Sequence, residues 1–159
     1  MVSREKTTIS FVSGNPLPSI ARLFKRLTDD NHGYEYSDIV ILSLKSENES
    51  ILKGVSTISG IPITKHQTNS SVLFTTASKF KGLESRAVII VDIDEDNFMD
   101  EEKKKLFYVA CSRATHALAL IVHGDNVKIQ SIADAINKNS HFAAKGRVAM
   151  KTHSKILEL

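Results

Sequence analysis

Residues 75–94 read TTASKFKGLESRAVIIVDID. The second half, residues 87–93 (AVIIVDI), is an almost unbroken run of apolar and mostly β-branched side chains. That is the pattern of a strand covered on both faces, as in the interior of a parallel sheet. The first half is a strand end followed by a polar loop that carries Lys79, Lys81 and Gly82 and leads to Glu84. A strand buried on both sides needs helices above and below it, so the neighbouring sequence should alternate strands with helices.

Working outward, it does. Residues 8–13 (TISFVS), 39–44 (IVILSL), 72–76 (VLFTT) and 117–122 (ALALIV) are further strand-type runs. Asn15 and Pro16 turn the chain into a helix whose stripe, Leu17, Ile20, Leu23, Phe24 and Leu27, repeats at helical spacing, with Gly33 as its expected end. A weaker helix is expected over residues 47–58, stopped by Gly60 and Pro62, with a short strand beginning at Ile63. Residues 68–71 (TNSS) read as a loop. A helix over residues 100–114 and another over 127–137, with Ile129, Ile132, Ala133 and Ile136 inward, complete the alternation. The expected fold class is α/β, with a mainly parallel sheet and helices on both faces, in which ligands gather at the carboxyl ends of strands.

The chain has 159 residues, 42% hydrophobic and 25% charged, which suits one ordinary domain. Trp is absent and aromatics make up 6%, so the core must be aliphatic with some Phe. The formal charge of +3 permits contact with phosphates without amounting to a dedicated basic arm. A single Cys excludes an internal disulfide framework and fits a reducing compartment; Cys111, mid-helix in an apolar stretch, reads as packing rather than as a nucleophile. No apolar run is long enough to span a bilayer, and a cytoplasmic location is the expectation. The division expected is a domain over residues 1–139 and a basic tail over 140–159, with Lys145, Arg147, Lys151 and Lys155, either partly disordered or packing an extra strand or helix.

Two segments carry candidate chemistry. In the loop, Gly82 lets the backbone approach a phosphate, Lys79 and Lys81 add positive charge, and Glu84 can accept hydrogen bonds from sugar hydroxyls. The same residues also suit a loop with a capping glycine and solvated charges. The second segment, residues 100–122 (DEEKKKLFYVACSRATHALALIV), has acidic residues where they meet a helix dipole favourably, and Leu106, Val109, Ala110 and Arg113 fall on neighbouring faces. A helix-anchored guanidinium suits the charge of a transferring phosphoryl group, or else pairs with a carboxylate. Asp92 and Asp94 follow a strand and read as its end rather than as metal ligands.

Taken together, TASKFKGLE at residues 76–84 and YVACSRA at residues 108–114, each beside an apolar strand, resemble motifs V and VI of the UvrD/Rep/PcrA-like superfamily 1 DNA helicases. The resemblance is strong over residues 72–122. It implies a RecA-like three-layer domain, the C-terminal motor of an ATP-dependent DNA helicase. ATP with Mg²⁺ would be shared with an N-terminal RecA-like domain of the same protein. By position, Gly82, Glu84 and Lys81 would lie at the nucleotide, Glu84 on the ribose, and Arg113 would be the arginine finger. Thr76, Ser78 and Lys79 would face single-stranded DNA, and Tyr108 would pack against the motif V loop.

Departures from the family pattern are as informative. Ser78 stands where relatives have His, and Ser112 replaces Thr beside the finger. Residues 39–50 occupy the place of motif IV, where relatives often carry a Tyr-Arg pair; here Ser43 and Leu44 stand instead, with Lys45 as a cation in shifted register. The 159 residues contain no GxxxxGK[ST] phosphate loop, so this chain by itself is expected not to hydrolyse ATP, and a stand-alone nucleotide hydrolase is disfavoured. The alternative is a degenerate RecA-like module that binds DNA or a protein partner without hydrolysis.

Overall fold

The computed structural model describes residues 7–139 and 155–158. Among them, β1 (Thr8–Ser13) leads into α1 (Leu17–Leu27), followed by β2 (Ile39–Ser43), β3 (Thr57–Ile58), β4 (Ile61–Thr64), β5 (Val72–Thr76) and β6 (Ser85–Val91). Then come α2 (Glu101–Ser112), β7 (Ala114–Gly124), α3 (Asn126–Asn139) and β8 (Lys155–Glu158). The strands form one sheet in the order β3-β4-β5-β2-β6-β7-β1-β8. From β4 to β1 every pairing is parallel; β3 on β4 and β8 on β1 are antiparallel and close the two margins.

The continuous apolar runs have the predicted consequence. In β6, Val88 and Ile90 enter one core with Val40, Leu42, Leu118 and Leu120, beneath Phe107 and Ala110 of α2 and Ile129, Ile132 and Ile136 of α3. Ala87, Ile89 and Val91 point the other way, with Ile39, Ile41 and Ile121, and meet Ile20, Leu23, Phe24 and Leu27 of α1. Period-two alternation thus feeds two cores from each central strand, and helices lie on both faces of the sheet. None of the described helices is long and apolar enough to cross a membrane.

Two local expectations need correction. No helix forms over residues 47–58: Glu49 N–H donates to Ser46 O, Lys53 to Ser50 and Val55 to Leu52 in isolated turns, all three residues apart, and Thr57–Ile58 form β3. The Ser50 hydroxyl and the Ile51 N–H are drawn instead to the Asp92 carboxylate, the competition through which Ser and Asn disfavour helix interiors. The first helix stops at Leu27, well before Gly33. Thr28 caps it with its N–H and hydroxyl on Phe24 O, and Asp29 then gathers the Asn31 and His32 N–H groups into a turn.

In α2 Phe107 and Ala110 are buried and Leu106 packs against the core, while Val109 is 37% exposed. Phe107 is drawn in by Phe98, whose ring it meets edge-on at 4.9 Å between centroids. In the tail, the strand among the expected alternatives is present, with Thr8–Phe11 of β1 facing Glu158–Lys155 of β8, while residues 140–154, with Lys145, Arg147 and Lys151, lie outside the described residues.

Candidate functional site

Because β2, β5, β6, β7 and β1 are parallel, the sheet has one edge of strand beginnings and one of strand ends. Residues 77–84 run from the end of β5 to the start of β6, past β2. They cross the whole height of the sheet, roughly 20 Å for a strand of six or seven residues. Ala77 and Phe80 anchor this crossing in the core, and Ser78, Lys79, Lys81, Gly82 and Glu84 stay exposed. Candidate residues that are close in sequence are therefore divided between two edges.

At the edge of strand beginnings the two motif-bearing segments meet. The Ser85 N–H donates to Arg113 O at 2.9 Å, which fixes the start of β6 to the end of α2. The Arg113 side chain donates from Nη1 to Leu83 O at 3.2 Å, from Nε to Val109 O at 3.2 Å and from Nη2 to the Ser112 hydroxyl at 3.1 Å. Among the described residues it has no carboxylate partner, so the expected alternative of an Arg–carboxylate pair is not what holds it. Its acceptors are neutral, and the helix carboxyl terminus favours the cation.

Gly82 adopts φ +82°, and the space where a Cβ would stand is open, with nothing within 4 Å, so its backbone conformation, not crowding, calls for glycine. Beside it, Leu83, Glu84, Ser85, Arg86, Ser37, Asp38 and Gln67 line a cleft of ≈ 460 Å³. Tyr108 is half-buried against the core that includes Ala77 and Phe80.

The edge of strand ends holds the other group. Thr76, Ser78 and Lys79 line a cleft of ≈ 500 Å³ with Ser43, Leu44, Lys45 and Glu47, and with Leu106 from α2. The Thr76 hydroxyl accepts the Lys79 N–H at 3.2 Å and shapes the turn that presents Ser78. Lys45 belongs here, about a strand's length from Gly82 and Glu84, so the structure does not join it to the other residues read as nucleotide-binding. Its Nζ pairs with Asp94 Oδ2 at 3.1 Å, and Lys128 holds Asp94 Oδ1 at 3.2 Å. Glu47 is likewise held between Lys79 at 2.7 Å and Lys65 at 2.8 Å, and these two hydrogen-bonded lysines bring its carboxyl down to about 2.

Behind this cleft is a residue that sequence alone presents as a strand end. Asp92 is 5% exposed and has φ +62°, a conformation uncommon for a residue with a side chain. Its carboxylate accepts the Ser43 and Ser50 hydroxyls at 2.6 Å each and the Ile51 N–H at 2.9 Å; His123 Nε2 stands 3.8 Å away. Burial pushes the carboxyl up, but His123, the two hydroxyls and the N–H outweigh it and bring it down to about 2. The Ser43 hydroxyl is thus spent on Asp92, and Leu44 is partly buried against the core, so neither supplies a ring to stack on a base. A charged residue inside VDID was the available sign, since a buried carboxylate has to be paired.

Residues 71–121 match the family model of the UvrD-like helicase C-terminal domain. Over that segment the chain is similar to UvrD-like helicase C-terminal domains. It spans β5, the crossing loop, β6, α2 and nearly all of β7, and contains every candidate site residue except Lys45. The fold around it is similar to a crystal structure described as the C-terminal domain of a possible DNA helicase from Lactobacillus plantarum WCFS1. The TM-score is 0.61 at 22% identity, over 77% of each chain. A comparison with curated protein sequences returned no match. The matched segment therefore sets both edges, while residues 44–52, outside it, complete only the edge of strand ends.

Proposed function

We propose that the chain is the C-terminal, RecA-like motor domain of an ATP-dependent DNA helicase, with its α/β sheet as the middle of three layers. The observation that carries this reading is the bond from Arg113 to Leu83 O, which joins YVACSRA to KGLE across 30 residues of sequence. Gly82, Glu84, Lys81 and Arg113 would face the nucleotide, with Glu84 toward the ribose. Thr76, Ser78 and Lys79 would face single-stranded DNA at the opposite edge.

Arg113 is suited to a finger because its present acceptors are neutral oxygens. Exchanging them for phosphate oxygens puts an anion, which the guanidinium fork can hold bidentately, in place of neutral acceptors, so an arriving γ-phosphate would redirect the side chain. Developing charge on the transferring phosphoryl group is what such a cation stabilises. The triphosphate would bring Mg²⁺, held mainly by the N-terminal motor domain, because no group of three or more His, Cys, Asp or Glu converges on a metal position among the described residues. Closure of the two motor domains on ATP, and reopening after hydrolysis, would alternate the grip on the strand. The crossing loop links both sites in nine residues, from Thr76 to Glu84, pinned in the middle by Phe80.

The test is DNA-stimulated ATP hydrolysis by the full-length protein, wild type against Arg113→Ala. Hydrolysis is expected to fall by on the order of 10³ with ATP binding retained. Equal turnover by the two proteins removes Arg113 from the mechanism. A non-hydrolysing, DNA-binding module remains the second reading, favoured by Ser43 and Leu44, which present no ring to adenine.

A further inference from the structure

The edge of strand ends is lined by lysines, yet its charge is internally cancelled in a specific way. Glu47 Oε1 accepts from Lys79 Nζ at 2.7 Å and Glu47 Oε2 from Lys65 Nζ at 2.8 Å, so two ammonium groups from different loops converge on one carboxylate. Both lysines are well exposed, at 65% and 64% of their side chains, and neither needs Glu47 to be solvated. Nor does the backbone at Glu47 depend on those pairs. The segment is held from within by Asp92 through Ser50 and Ile51, by the Lys45 N–H on the Ser43 hydroxyl, and by Ser46 on Glu49.

Two oxygens of one anionic group, each receiving a lysine at the rim of a cleft, is also how lysines receive a phosphate. We propose that the Glu47 carboxylate is the resident substitute for a nucleic-acid phosphate: it keeps Lys65 and Lys79 aimed at one point and is displaced when a single strand enters. This rests on the reading of this edge as the DNA track and adds Lys65, from outside the family-matched segment, to that track. Glu47 then acts as a built-in competitor that lowers affinity and lets the strand leave. Its carboxyl stays ionised at any physiological pH, so a polyanion rather than a proton must displace it.

The two obvious accounts of these ion pairs predict opposite signs. If Glu47 is a structural clamp, its removal loosens the lysines and weakens binding. If it is a competitor, removal strengthens binding, most at low salt, because the two lysines meet a phosphate without first giving up an ion pair. The test is anisotropy of a fluorescent oligothymidylate with the full-length protein across a KCl series. Wild type is compared with Glu47→Gln, Glu47→Ala, Lys65→Ala and Lys79→Ala, with matched thermal melts as the check on folding.

Both Glu47 variants are expected to bind several-fold tighter at low salt, with the logarithmic salt slope steeper by up to about 0.7, the value for one phosphate position. Lys65→Ala and Lys79→Ala are each expected to weaken binding. If Lys79→Ala binds like wild type, this edge is not the DNA track, and both the underlying reading and this inference fall. If Lys79→Ala weakens binding but the Glu47 variants bind equally or more weakly, the track stands and the competitor is refuted. If Lys65→Ala alone has no effect, the two-lysine phosphate position is refuted.

Discussion

Removing the Asp92 carboxylate tests whether the edge of strand ends is organised from inside. Asp92→Ala strands two hydroxyls and one N–H that all point at the carboxylate. Each unsatisfied buried donor costs about 1–3 kcal/mol, and breaking a buried charged cluster by losing one member costs about 3–5 kcal/mol, so 3–5 kcal/mol is the expected loss. Asp92→Asn should cost less, about 1–2 kcal/mol, since Asn tolerates positive φ and keeps one acceptor.

The carboxyl also makes this cost depend on pH. A fall from the ordinary value of 3.8 to about 2 corresponds to about 2 kcal/mol at neutral pH. Because the folded value is the depressed one, that contribution is complete above the unfolded value near 4. It is lost as pH falls toward 2. Urea unfolding of wild type, Asp92→Asn and Asp92→Ala at pH 7, 5, 4 and 3 measures both effects. The wild-type advantage over Asn should be constant from pH 7 to 5 and shrink from pH 4 downward. An Ala variant within about 1 kcal/mol of wild type at pH 7, or a gap to Asn that does not shrink in acid, would show that the network does not hold this edge.

Other positions give sharper local tests. Gly82→Ala meets no clash, so its cost should be only the left-handed backbone penalty, about 1–2 kcal/mol by chemical denaturation; under the proposed function it should also raise the KM for ATP of the full-length protein. Asp100→Ala removes the side chain that accepts the Lys103 N–H at 3.0 Å and should lower stability by about 1 kcal/mol, with DNA-stimulated hydrolysis unchanged once folding is complete. Phe80→Leu keeps the crossing loop apolar, at a stability cost below about 1.5 kcal/mol. It should nevertheless reduce the ratio of DNA-stimulated to basal ATP hydrolysis; an unchanged ratio would detach Phe80 from communication between the edges.

Local pattern decided a great deal. The apolar runs at residues 39–43 and 87–91 had to be strands covered on both faces, since no exposed sheet face tolerates such a sequence. The stripe from Leu17 to Leu27 had to be a helix. The spelling of KGLE and YVACSRA marked the two segments that meet at Arg113. Sequence spacing could not say which edge each residue reaches. Lys79 and Glu84 are five positions apart yet belong to opposite edges, because the loop between them is a crossing and not a turn.

Nor could it foresee that residues 47–58 would give up a helix. That outcome depends on a carboxylate more than forty residues away in the chain, and a buried charge takes the nearest donors whatever their local preference. Periodicity is a property of neighbours in the chain and is legible there. Where Asp92 finds its partners, and where Lys65 and Lys79 converge, depends on strand order, which only the packed sheet decides.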